Sequence, residues 1–231
     1  MDCSECRVAV LQNYLTSEIG GKHMLQNILR LINIHAPIQG DDFPNLDDHD
    51  LIILTGGPFN LLEHEQPLWV TDTLKFIKTA TTNRAEPKLL GICWGQQAIA
   101  LALGGSIGLS KSGLCIGVET ISLTSDGASF FKTASLDIHK HHNLIVNDTG
   151  PYLSCLASNN EILLSNDKQV LSFQGHPELE ASLSQTFASL GDSSSSSRSK
   201  LRAGFKPIDA PHDGEAIFAR IVEWASRKCN F

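Results

Sequence analysis

Residues 88–97 are Lys-Leu-Leu-Gly-Ile-Cys-Trp-Gly-Gln-Gln, and the apolar segment 98–103 follows them before the glycine pair Gly104-Gly105. The apolar run before the cysteine predicts a buried strand, and the segment after it predicts a helix that ends at the glycine pair. Glycines two residues before and two residues after Cys93 permit a tight turn, as in the G-x-S-x-G nucleophile elbow. The positive end of a helix dipole favours a thiolate. Cys93 is therefore a candidate nucleophile, and a buried core cysteine is the alternative.

The segments before this elbow predict an α/β fold. Residues 7–11 and 51–54 are short apolar strands, and the second lacks the alternation of a half-exposed strand, as expected for a parallel sheet covered on both faces. Helices are predicted at 22–34 and 66–82 from their apolar stripes. Strands and helices thus alternate, which predicts a three-layer fold with a mostly parallel sheet and flanking helices.

The second half of the chain has a different pattern. Short strands separated by turn residues are predicted at 117–123, 152–157, 162–165 and 169–173. They predict a small antiparallel extension of the sheet. Helices are predicted within 179–190 and at 212–227. The Ser-rich tract at about 191–200 is predicted to be a flexible surface insertion inside a single domain that spans 1–231.

Composition narrows the functional classes. A chain of 231 residues with 42% hydrophobic and 19% charged residues suits one globular α/β domain. The formal charge of -7 and the lack of a basic run argue against a nucleic-acid partner, and no window is apolar enough for a membrane span. Six cysteines without an N-terminal signal segment predict a cytoplasmic protein with free thiols. Cys3-x-x-Cys6 lacks the second pair of a zinc site and is interpreted as incidental, with redox or zinc chemistry as the alternative.

A cysteine nucleophile needs a base, and residues 174–178, Gln-Gly-His-Pro-Glu, contain one. His176 and Glu178 face the same way in an extended segment, and Pro177 disfavours a helix there. A carboxylate beside the imidazole would fix its tautomer and stabilise the imidazolium. A His-Pro turn with a solvated glutamate is the alternative. Residues 55–58, Thr-Gly-Gly-Pro, follow a predicted strand, so we expect this turn and the elbow to share one crevice.

Taken together, these motifs resemble those of class I glutamine amidotransferases. Residues 91–97 are similar to the family's G-x-C-x-G-x-Q motif, 174–178 to its His-Pro-Glu signature, 55–58 to its Gly-Gly-Pro loop, and 103–105 to the Leu-Gly-Gly that ends its elbow helix. The resemblance runs in order over nearly the whole chain. It implies a flavodoxin-like fold and is strongest to the stand-alone group related to the glutaminase part of GMP synthase.

The resemblance also implies a mechanism. Cys93 would attack the side-chain amide of glutamine to give a γ-glutamyl thioester and ammonia, with His176 moving the proton and Glu178 holding His176. Backbone N–H groups of Gly57 and Trp94 would form the oxyanion hole. The chemistry needs no cofactor.

By the same resemblance, substrate contacts are expected at Gly56, at Gln97 and at Asn143 and Leu144. Gln97 matches the motif glutamine, and the stretch 141–146 resembles the Tyr-His-Ser-Leu-x-Val of the anthranilate-synthase branch. The histidines at 139, 141 and 142 could instead indicate a metal site. No carboxylate stands at ligand spacing beside them, so no metal is predicted.

Two positions depart from the family pattern. Gly175 stands where the family commonly has Phe, and Asn143 where it commonly has Ser. Gln-Gly-His-Pro-Glu is similar instead to γ-glutamyl peptidases, and a glycine beside His176 is expected to open space near the leaving group.

These departures leave three functions open: a glutaminase, a peptidase acting on γ-glutamyl peptides or glutathione conjugates, and a silent regulatory module, which the intact Cys93, His176 and Glu178 disfavour. The sequence contains no phosphate-binding G-x-x-x-x-G-K or G-x-G-x-x-G motif. If the released ammonia is used in a synthesis, we therefore expect the synthetase or acceptor site to be on a partner chain.

Overall fold

A computed structural model describes residues 7–13, 32–82, 87–111, 113–191 and 204–226. Its strands are β1 (Val8–Leu11), β2 (Ile32–His35), β3 (Leu51–Leu54), β4 (Lys88–Ile92), β5 (Ser106–Leu109), β6 (Cys115–Ser122), β7 (Ser135–His142), β8 (Leu144–Asp148), β9 (Leu153–Cys155), β10 (Ile162–Ser165), β11 (Val170–Phe173) and β12 (Phe205–Lys206). Its α-helices are α1 (Leu68–Thr82), α2 (Trp94–Ala102), α3 (Ser125–Phe131), α4 (Ala181–Gly191) and α5 (Gly214–Ser226).

The central sheet has the strand order β2-β1-β3-β4-β11-β10-β9. Its first five strands are parallel, and β10 runs antiparallel to both of its neighbours. With β11 as the fifth strand, the parallel part has the 2-1-3-4-5 order of flavodoxin-like folds, in which ligands bind beyond the carboxyl ends of the strands. This confirms the predicted α/β fold with a mostly parallel sheet.

The parallel strands end nearly level with one another. Leu54, the last residue of β3, is paired with Leu11 on one side and with Gly91 on the other, and Ile92 is paired with Phe173 at the end of β11. The segments that leave these four strands therefore emerge side by side at one edge of the sheet.

Both faces of the sheet are buried, since an apolar cluster packs against each face and successive residues of a strand point into one cluster or the other. Leu51 and Ile53 of β3 pack in a cluster with Ile217 of α5, whereas Ile52 and Leu54 pack in a cluster with α1 and α2. This arrangement gives the three layers predicted from the non-alternating strands. None of the described helices has the length and apolarity needed to cross a membrane.

Two small antiparallel sheets lie outside the central sheet, in the orders β12-β6-β7 and β5-β8. The predicted strand at 117–123 belongs to β6, and its partner β7 was not predicted. The predicted strands at 152–157, 162–165 and 169–173 correspond to β9, β10 and β11, which pair antiparallel with one another and form the predicted extension at the edge of the central sheet.

The predicted helix at 22–34 is wrong at its end. Residues 32–34 belong to β2, whose Ile-Asn-Ile-His alternation has the period of a strand and pairs in parallel with β1. Residues 22–31, Cys3, Cys6 and the tract at 192–200 lie outside the described residues.

Candidate active site

Three of the predicted motifs meet at the carboxyl edge of the sheet. The turn after β3 contains Gly56, the elbow after β4 contains Cys93, and the segment after β11 contains His176. A Cβ atom placed on Gly56 would lie 3.0 Å from Cε1 of His176 and 3.6 Å from Cβ of Cys93. The structure therefore brings the Gly-Gly-Pro turn, the cysteine and the histidine into one site.

The elbow places Cys93 between β4 and α2 in an unusual backbone conformation, with φ 51° and ψ −101°. Its N–H donates to the carbonyl of Phe173 at 2.7 Å, which joins the elbow to the neighbouring strand. The flanking glycines are required by close packing: a Cβ at Gly95 would lie 2.3 Å from the carbonyl oxygen of Leu54, and one at Gly91 would lie 2.9 Å from the carbonyl carbon of Gly95. Only glycine lets the helix start this close to the sheet.

His176 is held by its ring and by its backbone. Nδ1 lies 2.7 Å from Oε1 of Glu178, and the N–H of His176 donates to the carbonyl of His139 in β7 at 2.8 Å. The Glu178 side chain is only 12% exposed, which argues against a solvated glutamate. Because Nδ1 is engaged by Glu178, Nε2 is the nitrogen left to exchange a proton with Cys93.

The electrostatics of the site favour the imidazolium form of His176. Burial opposes its charge, but attraction to the Glu178 carboxylate and to Cys93 outweighs this, and the pKa of His176 lies well above 6.5. A protonated histidine beside the cysteine is the arrangement that stabilises a thiolate.

The neighbouring histidines of β7 behave in the opposite way. The pKa of His139 and of His141 falls from 6.5 to about 4, and that of His142 to about 3. Burial is the main cause in each case, and repulsion from a charged His176 adds to it. At neutral pH these three rings are therefore uncharged. Among the residues that the structure describes, no three His, Cys, Asp or Glu side chains are grouped so that they could hold a metal ion.

Trp94 begins α2 directly after Cys93, where the first N–H groups of a helix have no partner within the helix. Its ring is 1% exposed and stacks on Trp69 of α1 with 5.5 Å between centroids, and Trp69 in turn contacts Phe59 at 5.4 Å. This aromatic row fixes the residue whose backbone N–H is expected in the oxyanion hole.

The turn that carries Gly57 is held by Asn13, a residue that the sequence analysis did not single out. The Asn13 N–H donates to Oγ1 of Thr55, and its side-chain Nδ2 donates to the carbonyl of Thr55, both at 3.1 Å. A Cβ at Gly57 would lie 2.3 Å from the carbonyl oxygen of Asn13. The position of Asn13 after β1, at the edge where ligands bind, was a signal that could have identified it.

The expected substrate contacts differ in their surroundings. Gln97 is buried, and its Nε2 donates to the carbonyl of Leu144 at 3.1 Å and to Oε1 of Gln174 at 3.4 Å. Asn143 is exposed, and its carbonyl accepts from the N–H of Ser110. The structure thus brings Gln97 and Leu144 into direct contact and leaves Asn143 at the surface.

The expectation that Gly175 opens space beside His176 is wrong. A Cβ at this position would lie 2.9 Å from the carbonyl oxygen of His139 and 2.9 Å from Cδ1 of Ile138. The volume that a side chain would need is occupied by β7. The glycine lets this strand pack directly against the segment that carries His176, and no cavity forms there.

β7 is the main element of the site that the sequence did not reveal. Besides accepting from His176, it contacts the candidate nucleophile: Sγ of Cys93 donates to the carbonyl of His141 at 3.9 Å. The run Lys-His-His at 140–142 is polar, so its hydropathy does not indicate a buried strand.

Known proteins resemble this chain in sequence and in fold. The family profile of "Glutamine amidotransferase class-I" matches residues 17–188, which is more than half of the chain. The chain is 51% identical to the glutamine amidotransferase-like protein chry6 of Gibberella zeae over 98% of both proteins. It is 27% identical to γ-glutamyl peptidase 3 of Arabidopsis thaliana, over 72% of the chain and 68% of that protein.

The fold also matches solved structures. A glutamine amidotransferase from Thermotoga maritima superposes with a TM-score of 0.74 at 19% identity, covering 96% of each chain. The profile match over more than half of the chain and the 51% identity to the Gibberella zeae protein show the family to which the chain belongs. The chain belongs to the class I glutamine amidotransferase family, which here includes γ-glutamyl peptidase relatives.

Proposed function

We propose that the chain is a Cys-His-Glu hydrolase that cleaves a γ-glutamyl amide bond through a γ-glutamyl thioester, with glutamine as its substrate. The observation that carries the proposal is the meeting of Gly56, Cys93 and His176 at one strand edge, with Glu178 bonded to the far side of the imidazole. A nucleophile, a base and a group that orients the base are the three parts that such catalysis requires.

The reaction starts from the ion pair in which the Cys93 thiol proton has moved to Nε2 of His176. Sγ then bonds to the carbonyl carbon of the γ-amide, and the negative charge that forms on the oxygen is met by the N–H groups of Gly57 and Trp94. Such donors are worth roughly several kcal/mol in the transition state. His176 returns the proton to the leaving nitrogen as the C–N bond breaks, and ammonia departs.

Water completes the cycle. His176 takes a proton from a water molecule, which attacks the thioester carbonyl, and the proton returns to the leaving sulfur of Cys93 as glutamate is released. Glu178 supports both halves because it stabilises the imidazolium each time that it forms, in agreement with the raised pKa of His176.

A second candidate function changes only the leaving group. The similarity to γ-glutamyl peptidase 3 and the Gln-Gly-His-Pro-Glu sequence favour a γ-glutamyl peptide or glutathione conjugate as substrate. Since Gly175 is covered by β7, a larger leaving group would have to be accommodated elsewhere in the site. An ammonia-accepting partner chain and a cytoplasmic location stay predictions.

The test is a substrate panel of glutamine, a γ-glutamyl peptide and a glutathione conjugate, with mass spectrometry of the intact protein to detect a γ-glutamyl adduct. Cys93→Ala should abolish turnover and adduct, and His176→Asn should lose nearly as much activity, because members of such a unit fail together. Turnover retained by Cys93→Ala refutes the nucleophile. Turnover of the peptides with little of glutamine selects the second function, and a folded protein without turnover or adduct supports the regulatory module.

A further inference from the structure

Lys140 of β7 is completely buried, which is unusual for a lysine. Its Nζ contacts Oε2 of Glu161 in a close ion pair and lies 3.4 Å from Oε2 of Glu119. Glu161 is itself buried; burial raises its pKa, and the charge of Lys140 opposes this. Because burying two charges costs desolvation energy that an apolar pair would avoid, the pair is weak evidence for stability. Its role has to be sought in what it joins.

The pair joins two pieces of the fold. Lys140 belongs to the sheet of β12, β6 and β7, whereas Glu161 stands directly before β10 of the central sheet. The carbonyl of Glu161 accepts from the N–H of Gln174, two residues before His176. One end of the ion pair is therefore bonded to the segment that carries the catalytic histidine.

Lys140, the other member of the ion pair, lies between two residues whose carbonyls contact the catalytic residues. His139, before Lys140, accepts from the N–H of His176 at 2.8 Å, and His141, after it, accepts from Sγ of Cys93 at 3.9 Å. Carbonyls of alternate residues on a strand point to the same edge, so one edge of β7 meets both catalytic residues while the other edge pairs with β6. Any slip of β7 along this edge would move both carbonyls at once.

We infer that Lys140 is a positioning residue whose buried ion pair with Glu161 holds the edge of β7 against the central sheet and so fixes Cys93 relative to His176. This inference rests on the proposed function. An aliphatic side chain of the same length would fill the volume but could be accommodated at several positions along the strand. The carboxylate of Glu161 accepts Nζ at one position, which sets the register of β7 against the catalytic segment.

The decisive variant is Lys140→Met, and the matched control is Lys88→Met. Lys88 is also buried, and its Nζ donates to the carbonyl of Trp224, but it stands at the start of β4, opposite the end that leads to Cys93. Both variants replace a buried lysine by methionine; Lys140→Met also leaves Glu161 without its partner, so the two variants are compared only where both are folded. Lys140→Arg keeps the charge and serves as the rescue variant.

Two measurements separate positioning from stability. The first is kcat and KM for the best substrate of the panel at a temperature at which all variants are folded. The second is the rate at which iodoacetamide alkylates Cys93 at neutral pH, followed by mass spectrometry of the Cys93 peptide, which needs no substrate.

Relative to Lys88→Met, we expect Lys140→Met to lower kcat by about tenfold or more, since small misplacements of reacting groups cost up to about a hundredfold. KM should stay within about twofold, because substrate binding is not what the pair controls. Alkylation should slow as well, because His176 no longer stabilises the thiolate, and Lys140→Arg should restore most of both rates.

Equal losses of kcat in Lys140→Met and Lys88→Met overturn the inference, as does an alkylation rate equal to that of the natural protein. If Lys140→Met does not fold, Glu161→Gln decides: natural kcat and alkylation in that variant overturn the inference, and reduced values support it. A natural protein that hydrolyses no substrate refutes the proposed function, while the alkylation rates still test the role of Lys140.

Discussion

The backbone of Cys93 predicts that the protein tolerates glycine at this position about as well as alanine, although glycine elsewhere in the same helix is destabilising. At φ 51° and ψ −101° the residue occupies a region that side chains with a Cβ disfavour. Residues held in such regions store about 1–3 kcal/mol of strain each. Cys93→Ala removes Sγ and keeps Cβ, whereas Cys93→Gly removes both, so the strain at Cβ contributes to the difference in stability between the two variants.

The magnitude follows from three contributions. Glycine at position 93 relieves about 1–3 kcal/mol of strain. It loses about 0.5–1 kcal/mol through the greater freedom of the unfolded chain and about 0.8 kcal/mol for one buried methyl group. The glycine variant should therefore lie between about 0.8 kcal/mol less stable and about 1.7 kcal/mol more stable than the alanine variant. Ala98→Gly, inside the same helix, has no strain to relieve and should cost about 2 kcal/mol through helix propensity and the lost methyl group.

Urea unfolding at neutral pH measures all of these variants on one scale. A difference of 1 kcal/mol corresponds to about 2–4 °C in Tm for a chain of this size, so thermal unfolding gives an independent reading. The reasoning is refuted if Cys93→Gly is less stable than Cys93→Ala by as much as Ala98→Gly is less stable than the natural protein. Both variants at position 93 should lack hydrolytic activity.

Three further predictions concern the surroundings of the nucleophile. Glu178→Gln removes the carboxylate that raises the pKa of His176. The free energy of unfolding should therefore fall by its full amount below about pH 6.5, and this loss should vanish as the pH rises through the raised pKa of His176. Urea unfolding midpoints at several pH values measure the effect. The histidines of β7 are neutral in the folded protein, and His142 has a pKa of about 3. As the pH is lowered from about 6.5, the free energy of unfolding should decrease by up to about 1.4 kcal/mol per pH unit for each of these histidines. A free energy of unfolding that stays constant between about pH 6.5 and 4 would contradict this. Gly175→Ala should lower the free energy of unfolding by about 1–3 kcal/mol, because the added methyl group overpacks against β7. It should also lower kcat, because β7 holds His176. Unchanged unfolding and kinetics would show that β7 can move aside.

Sequence reasoning located the catalytic candidates because their signals are local. The apolar run, the glycines and the helix around Cys93 lie within one short stretch, and His176 and Glu178 are two residues apart on a segment stiffened by Pro177. Parallel strands bring their carboxyl ends to one edge, so separate turns could be placed in one crevice without knowledge of the contacts.

The features that escaped prediction depend on contacts between distant residues. Lys140 is buried because Glu161 and Glu119 pair with it, and hydropathy cannot show such a partner in advance. Gly175 suggested free space, yet the space belongs to β7, whose approach no local pattern records. The sequence predicts a helix through the short β2 because Ile32 continues the apolar stripe of the residues before it, whereas the pairing with β1 involves residues far along the chain from one another.

The aromatic row that includes Trp94 gives the protein an intrinsic fluorescence signal close in sequence to Cys93. The chain has three tryptophans: Trp94 adjoins Cys93, Trp69 stacks on Trp94, and Trp224 lies by Lys88 at the opposite end of β4. Replacing Trp224 by Phe would leave two stacked indoles, one of them on the residue that follows Cys93, so a change in their fluorescence on mixing with substrate should report events at the elbow, including formation of the thioester under the proposed function. Single turnovers could then be followed by stopped-flow mixing with unlabelled substrate.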